Sequence, residues 1–322
     1  MSTQEKYLNP FTDFGFKKLF GSEVNKDLLM SFLNEVLPEK DKITSLTYLK
    51  TEHLGHSPID RKVIYDLYCE NEKGEKFIVE LQKARQKYYK ERTIFYSTFP
   101  IQEQAKTGTD WDFDLKAVYT VSILNFVLDN NSYKAKKTKI QQNEPVKIVA
   151  KIMDVETHKI YYDKLTYVTI QIPLFDKEEN ELETLEDKWF YIIRNLQRFQ
   201  NRPVALQERI FDRVFKTAEL AKFNKKERQA YEDSLKYYRD LNNSLKYAKE
   251  AAAEEGWKKG HQKGMEKGME KGMEKGMEKG ERNKAMEIVK KSILKGLDFE
   301  DIADITGLSM EEIQRISISL KE

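Results

Sequence analysis

The chain is poor in cysteine, in histidine and in long apolar runs, and each shortage closes off a class of protein. One cysteine, Cys69, in 322 residues excludes an intramolecular disulfide framework and any cysteine-based zinc site. The four histidines include His53 and His56 close together, without partners at metal-ligand spacing. No run of about 18 consecutive apolar residues suggests a membrane span. The opening MSTQEKYLNPFTDFG also lacks the apolar stretch of a signal peptide. These absences point to a soluble protein of a reducing compartment, most simply the cytoplasm. There is no charge excess either: 56 Lys plus Arg stand against 54 Asp plus Glu, so any site for a polyanion has to be a local patch. Serine-nucleophile signatures, a P-loop and a dinucleotide fingerprint are all missing.

What is present suits a folded chain. Apolar residues make up 39% and aromatics 11%, too many for wholesale disorder, and the length allows about two domains. From about Asn25 the apolar residues Leu28, Leu29, Phe32, Leu33 and Val36 recur at helical spacing, and Pro38 ends that helix. Segments 42–53, 62–70 and 76–84 are β-branched and aromatic with period-two alternation. Residues 86–107 read as a helix with Tyr89, Ile94, Phe95 and Thr98 or Phe99 inward, kinked or broken at Pro100. The run LKAVYTVSILNF (115–126) is almost continuously apolar, as expected of a strand covered on both faces. Strands at about 146–155 and 165–172 follow, then an amphipathic helical region from Leu182 to about Lys249. The order predicts an α/β domain over residues 1–175 and an α-helical extension over 176–250.

Glycine recurs every four residues from Gly260 to Gly280, with Met265, Met269, Met273 and Met277 each following a glycine. A period of four drifts around a 3.6-residue helix. It also stacks Glu266 over Glu270 and Lys267 over Lys271, like charges at i,i+4, and each glycine costs about 1 kcal/mol relative to alanine. Residues 251–282 therefore read as a marginally helical linker, with a glycine-faced helix pair in a homo-oligomer as the alternative. Residues 283–322 look folded again. Gly296 is a C-cap, Asp298 an N-cap, Gly307 a turn, and Ser309 with Glu312 has capping-box spacing. The pattern suits a helix-turn-helix-like module. Its last helix carries Glu311 and Glu312 against Arg315 and Lys321, which favours assembly over reading a DNA groove.

The chemistry is concentrated in IYDLYCENEKGEKFIVELQKA. Alternation places Ile64, Asp66, Tyr68 and Glu70 on one face of the first strand and Ile78, Glu80 and Gln82 on one face of the second. A three-residue loop, Glu72-Lys73-Gly74, sets Asp66 directly opposite Glu80. A two-residue loop would pair Asp66 with Leu81 instead, so the alternation selects the register in which the carboxylates meet. Two like charges in that position destabilise a sheet unless a cation lies between them. A hard divalent ion would relieve the repulsion; a charged hairpin edge paired with lysines is the alternative. Cys69 alternates to the other face and reads as core.

Asp66, thirteen intervening residues and Glu80-x-Gln82 leading into a basic helix resemble the PD-(D/E)XK nuclease superfamily. More narrowly, the chain resembles the recombination-promoting nuclease (Rpn) or putative transposase family of bacteria. The likeness includes the opening NPFTDFGFKKLFG, the helix ERTIFYSTFPIQEQ, the strand LKAVYTVSILNF, the GMEK repeat and the closing DIADITGLSMEEI. It implies a restriction-endonuclease-like α/β core, a mixed sheet flanked by helices, with an α-helical C-terminal region. It implies too that Asp66 and Glu80 ligate magnesium, with manganese as an alternative. Gln82 stands where the superfamily has lysine; glutamine orients by hydrogen bonds and brings no charge, and Lys83 points to the opposite face. Asp13 matches a family-typical acid near the site, or else caps the first helix. Lys83, Arg85, Lys87, Lys90, Arg92 and Tyr96 would grip DNA phosphate, with Lys134, Lys136, Lys137 and Lys139 as a second cluster. The implied activity is endonucleolytic hydrolysis of DNA in recombination, mobile-element or phage-related transactions; a double-strand cut by one active site per chain would favour a homodimer, with the C-terminal helical region as its contact. The rival is an inactive DNA-binding or assembly protein that keeps the fold.

Overall fold

The computed structural model describes residues 5–38, 42–53, 63–105, 112–128 and 144–320. Glu80, Gln82, Ser122 and Gln171 lie in a six-stranded mixed sheet in the order β1-β4-β5-β6-β8-β7. The strands are β1 (Leu46–Tyr48), β4 (Leu67–Asn71), β5 (Lys76–Gln82), β6 (Val118–Leu124), β7 (Lys147–Met153) and β8 (Ile160–Gln171). The inner strands β5, β6 and β8 run parallel, while β1, β4 and β7 pair antiparallel to their neighbours. A separate two-stranded ribbon joins β2 (Glu52–His53) to β3 (Val63–Ile64).

One face of the sheet is covered by α1 (Asp13–Phe20), α2 (Lys26–Val36), α4 (Leu185–Asn195) and α5 (Arg209–Ala218). Val79, Leu81, Val121, Ile123, Val168 and Ile170 point into that layer and join one core with Phe20, Phe32, Trp189 and Phe211. Their alternation in three paired strands gives the face its apolar surface. Helix α4 is fixed at its start by a capping box in which Thr184 and Asp187 exchange hydrogen bonds. The opposite face lies under α3 (Tyr89–Gln102), with a smaller cluster of Val63, Tyr65, Tyr68 and Ile78.

The chain falls into two compact units, Met1–Asn243 and Ser244–Glu322. In the second, α7 (Phe299–Thr306) and α8 (Met310–Ser319) close on Val289, Ile302 and Ile313. Asp298 caps α7, Gly307 takes a left-handed φ of 70°, and Ser309 and Glu312 form the capping box anticipated from their spacing. Among the described residues no helix is long and apolar enough to cross a membrane.

Several elements differ from their sequence expectation. Segment 42–53 divides into β1 and β2, and segment 62–70 breaks at Tyr65-Asp66 between β3 and β4. Ile64 thereby leaves the face of Asp66, pairs with Glu52 and is 57% exposed. Helix α3 turns Ile94 and Phe95 outward and buries Tyr89, Ser97 and Pro100. Pro100 does not break it. Proline lacks the N–H that would bond the carbonyl of Tyr96, and the Tyr65 hydroxyl donates to that carbonyl instead, at 2.9 Å. The GMEK repeat is wholly helical, inside α6 (Lys225–Leu294). His56 and the lysines Lys134, Lys136, Lys137 and Lys139 lie outside the described residues.

Candidate metal centre

The hairpin loop is Glu72-Lys73-Gly74. The Asn71 N–H donates to the Glu75 carbonyl and the Asn71 carbonyl accepts from Gly74, and Gly74 takes φ +78°, the left-handed conformation that three-residue loops need. The ladder above it pairs Leu67 with Val79 and Tyr68 with Ile78. One step further along that register, Asp66 faces Glu80. Asp66 sits where the strand has broken, so its backbone N–H is free of the ladder and donates to Glu80 Oε1 at 3.3 Å. In return the Leu81 N–H donates to Asp66 Oδ2 at 2.7 Å. Glu80 is thus held by the backbone of Asp66, and Asp66 by the backbone of Leu81, rather than by lysines of the hairpin edge.

Glu80 and Gln82 are both buried, 5% and 6% exposed. Gln82 Nε2 donates to Glu80 Oε2 at 3.0 Å. From the first turn of α3, Arg92 reaches back over β5 and donates from one nitrogen to Gln82 Oε1 at 3.2 Å and Glu80 Oε2 at 3.5 Å. Its guanidinium also bonds Gln86 and lies 5.0 Å from the centre of the Tyr96 ring. Arg92 and Tyr96 therefore share one helix face, above the acids. Burial first, then the charge of Asp66, pushes the Glu80 carboxyl up to about 8 despite Arg92. Burial likewise raises Asp66, opposed by the Leu81 hydrogen bond and the charge of Lys83.

The opening motif supplies the rim. Asn9 Oδ1 accepts from Phe11, and the Thr12 hydroxyl caps α1 by accepting from Gly15 at 2.9 Å. A side chain at Gly15 would strike the Asn9 carbonyl, 2.2 Å from where its Cβ would stand. Thr12, not Asp13, is the cap, so the capping reading of Asp13 is replaced. Asp13 is the first helical residue and pairs with Lys17 at 3.1 Å. Its charge is close enough to raise the pKa of Asp66. Lys83 leaves the end of β5 with its ammonium 5.9 Å from the centre of the Tyr237 ring. Burial lowers its pKa while Asp13 and Asp66 raise it. Although Lys83 alternates away from Gln82, it is electrostatically part of the site. Arg85, Lys87 and Lys90 are exposed along the approach to α3, Lys87 over Tyr88 at 5.2 Å.

Sequence reasoning missed the row beside the acids. Glu80 is registered with Ser122 on β6 and through it with Thr169 on β8, both buried. Tyr89 and Thr169 hydroxyls lie 3.3 Å apart, and Ser97 and Tyr167 hydroxyls 2.8 Å. Thr120 and Ser122 at alternate positions of otherwise apolar β6, with Tyr167, Thr169 and Gln171 alternating at the end of β8, were the available signal.

A buried Glu80 and a half-buried Asp66, both with raised pKa, and the buried Gln82 amide beside them form a hard oxygen donor set that would suit a divalent cation. Among the described residues no three His, Cys, Asp or Glu side chains gather into a larger cluster. A divalent cation would be held by Asp66 and Glu80.

A mixed sheet carrying paired acids at the end of an antiparallel hairpin, followed by a helix that returns a cation to them, is the framework of a PD-(D/E)XK-like nuclease. The family model for PD-(D/E)XK nuclease family transposases matches residues 10–248, and the chain belongs to that family. Comparison with curated proteins and with solved structures returned no match.

Proposed function

We propose that this chain is a divalent-metal-dependent DNA endonuclease that assists recombination, mobile-element or phage-related DNA transactions. The carrying observation is the pair of hydrogen bonds from Leu81 N–H to Asp66 and from Asp66 N–H to Glu80, which holds a half-buried and a buried acid together. A bound ion would supply a nucleophilic hydroxide near neutral pH and offset charge on the phosphate. The chain's own groups do the remainder. Asp66 and Glu80 hold the ion. Gln82 orients Glu80 by its amide and presents its oxygen to Arg92. Arg92, already poised over Glu80 and backed by Tyr96, grips the scissile phosphate bidentately. Lys83, Arg85, Lys87 and Lys90 hold flanking phosphates without reading bases, and Asp13 with Lys17 bounds the far side.

The rival reading, a non-catalytic DNA-binding protein on the same fold, is favoured by Gln82, which brings no charge to the place of the superfamily lysine. Plasmid nicking with magnesium decides between them. Wild type should cut and Asp66→Ala should bind DNA without cutting. Equal inactivity of both proteins across magnesium and manganese concentrations would establish the rival.

A further inference from the structure

Helix α3 turns two aromatic rings to solvent beside Arg92. Tyr88, at its N-terminus, is 62% exposed and Phe95 44%. The Arg92 N–H donates to the Tyr88 carbonyl at 3.0 Å, which sets Arg92 one turn beyond Tyr88, and Phe95 follows most of a turn later. At about 100° per residue the two rings leave the helix within about 20° of each other, and Arg92 stands about 40° to one side of Tyr88. On that side Arg92 reaches Glu80 at 3.5 Å. Glu91, exposed, stands on the other side of the rings. Phe95 is braced by Phe99, edge-on with ring centres 5.3 Å apart, and Phe99 packs on Val63, Tyr65, Tyr68 and Ile78. The Lys87 ammonium lies 5.2 Å from the centre of the Tyr88 ring.

Exposed rings interleaved with cations make a surface on which bases stack while charge holds the backbone. We propose that Tyr88 and Phe95 receive the two bases flanking the scissile phosphate, so that the substrate is DNA unpaired at the cut and not a continuous duplex. The inference rests on the reading that Arg92 grips that phosphate, and names the form of DNA that follows from it. Spacing carries the argument. Residues seven apart stand about 10 Å apart along a helix, whereas neighbouring bases of a duplex stack about 3.4 Å apart. Adjacent bases reach both rings only after they unstack from each other, with the phosphate between them level with Arg92. Charge sets how the strand lies: its backbone follows Arg92 and Lys87 and turns away from Glu91. Ile94, 55% exposed, lies about 100° round the helix from Phe95. The exposed apolar surface is therefore a set of separate side chains and not the broad patch that a protein partner covers.

Equilibrium binding by full-length Asp66→Ala in magnesium, read by fluorescence anisotropy, tests this without reference to cutting. The probes are one oligonucleotide sequence as a single strand, as a perfect duplex and as a duplex with a central mismatch. Charge alone favours the duplex, whose phosphates are twice as dense along its axis. The single strand and the mismatched duplex should instead bind about tenfold tighter than the perfect duplex. Adding Tyr88→Ala or Phe95→Ala should weaken single-strand binding about tenfold and perfect-duplex binding less than about twofold. Phe95→Trp should keep the single-strand affinity and Phe95→Leu should lose it, with melting temperatures unchanged. Equal affinity for single strand and perfect duplex, alanine variants that weaken both alike, a leucine as good as phenylalanine, or no binding to any probe would each overturn the proposal. An uncut plasmid with wild type would overturn the nuclease reading, and these affinity ratios would still decide the stacking surface.

Discussion

On one face of the central sheet, Val79, Leu81, Val121, Ile123, Val168 and Ile170 are packed under four helices; on the other, Glu80, Gln82, Ser122 and Thr169 are buried under one. Both faces are built by alternate residues of the same strands, and both are dry. The apolar face stabilises the fold by removing hydrocarbon from water. The polar face holds acids in a state they resist: burial raises both, the charge of Asp13 adds to Asp66 and the charge of Asp66 to Glu80, so their ionised form is costly without a cation beside it. The rigidity of the first face is what lets the second maintain that arrangement.

Paired substitutions break the comparison most strongly. Asp66→Ala should lower the cutting rate about a thousandfold or more, equivalent to roughly 4 kcal/mol of transition-state stabilisation, while leaving the melting temperature unchanged or higher. Ile170→Ala, on the apolar face, should do the reverse. It should cost about 2–5 kcal/mol of stability by leaving a cavity, with cutting per folded molecule within a few-fold of wild type. Denaturant melts and single-turnover nicking on both proteins check the pair. A large stability loss in Asp66→Ala would mean that the acids serve the fold.

The next effect follows from charge. Because the folded chain holds the Glu80 proton up to about pH 8 and the unfolded chain releases it in the ordinary carboxylate range, the folded state binds more protons between those limits. Stability contributed at low pH is therefore lost as pH rises through about 8. A divalent ion such as magnesium, if held by the ionised pair, should raise the melting temperature by several degrees more at about pH 8.5 than at about pH 6. Glu80→Gln should flatten the metal-free pH profile and abolish the magnesium effect. Thermal melts across pH, with and without the ion, read both.

Gln82→Lys tests the departure from the superfamily pattern. The ammonium keeps a donor for Glu80 but loses the oxygen that accepts from Arg92 at 3.2 Å, freeing Arg92 for the substrate. Cutting should rise about tenfold, and a fall would show that the Gln82–Arg92 contact itself positions the phosphate.

The legible and illegible parts of the site divide along the same line as the two faces. Register was readable because Gly74 marks the loop and alternation admits only one pairing of Asp66 with Glu80. The core helices α2 and α4 were readable because an apolar stripe faces an apolar sheet. The break at Tyr65-Asp66 was not, since it depends on β3 finding Glu52-His53 elsewhere in the chain. Nor was the continuity of α3 through Pro100, which relies on a hydroxyl from Tyr65, 31 residues away from its acceptor.

Helix α3 also shows why its inner face was misread. Periodicity assigns the apolar side inward, but the surface beneath α3 carries Tyr167, Thr169 and Ser122, so serine and tyrosine hydroxyls are the residues that fit. Ile94 and Phe95 were free to point out. The smallest prediction isolates this point. Ile94→Ser, at a position 55% exposed, should shift stability by less than about 0.5 kcal/mol. Ser97→Leu, a gain of hydrophobicity on the same helix, should cost about 1–3 kcal/mol, because it overfills a site 1% exposed and strands the hydroxyl of Tyr167 2.8 Å away. Equal denaturant midpoints for the two variants would mean that α3 tolerates either orientation and that the polar lining does not specify how it packs.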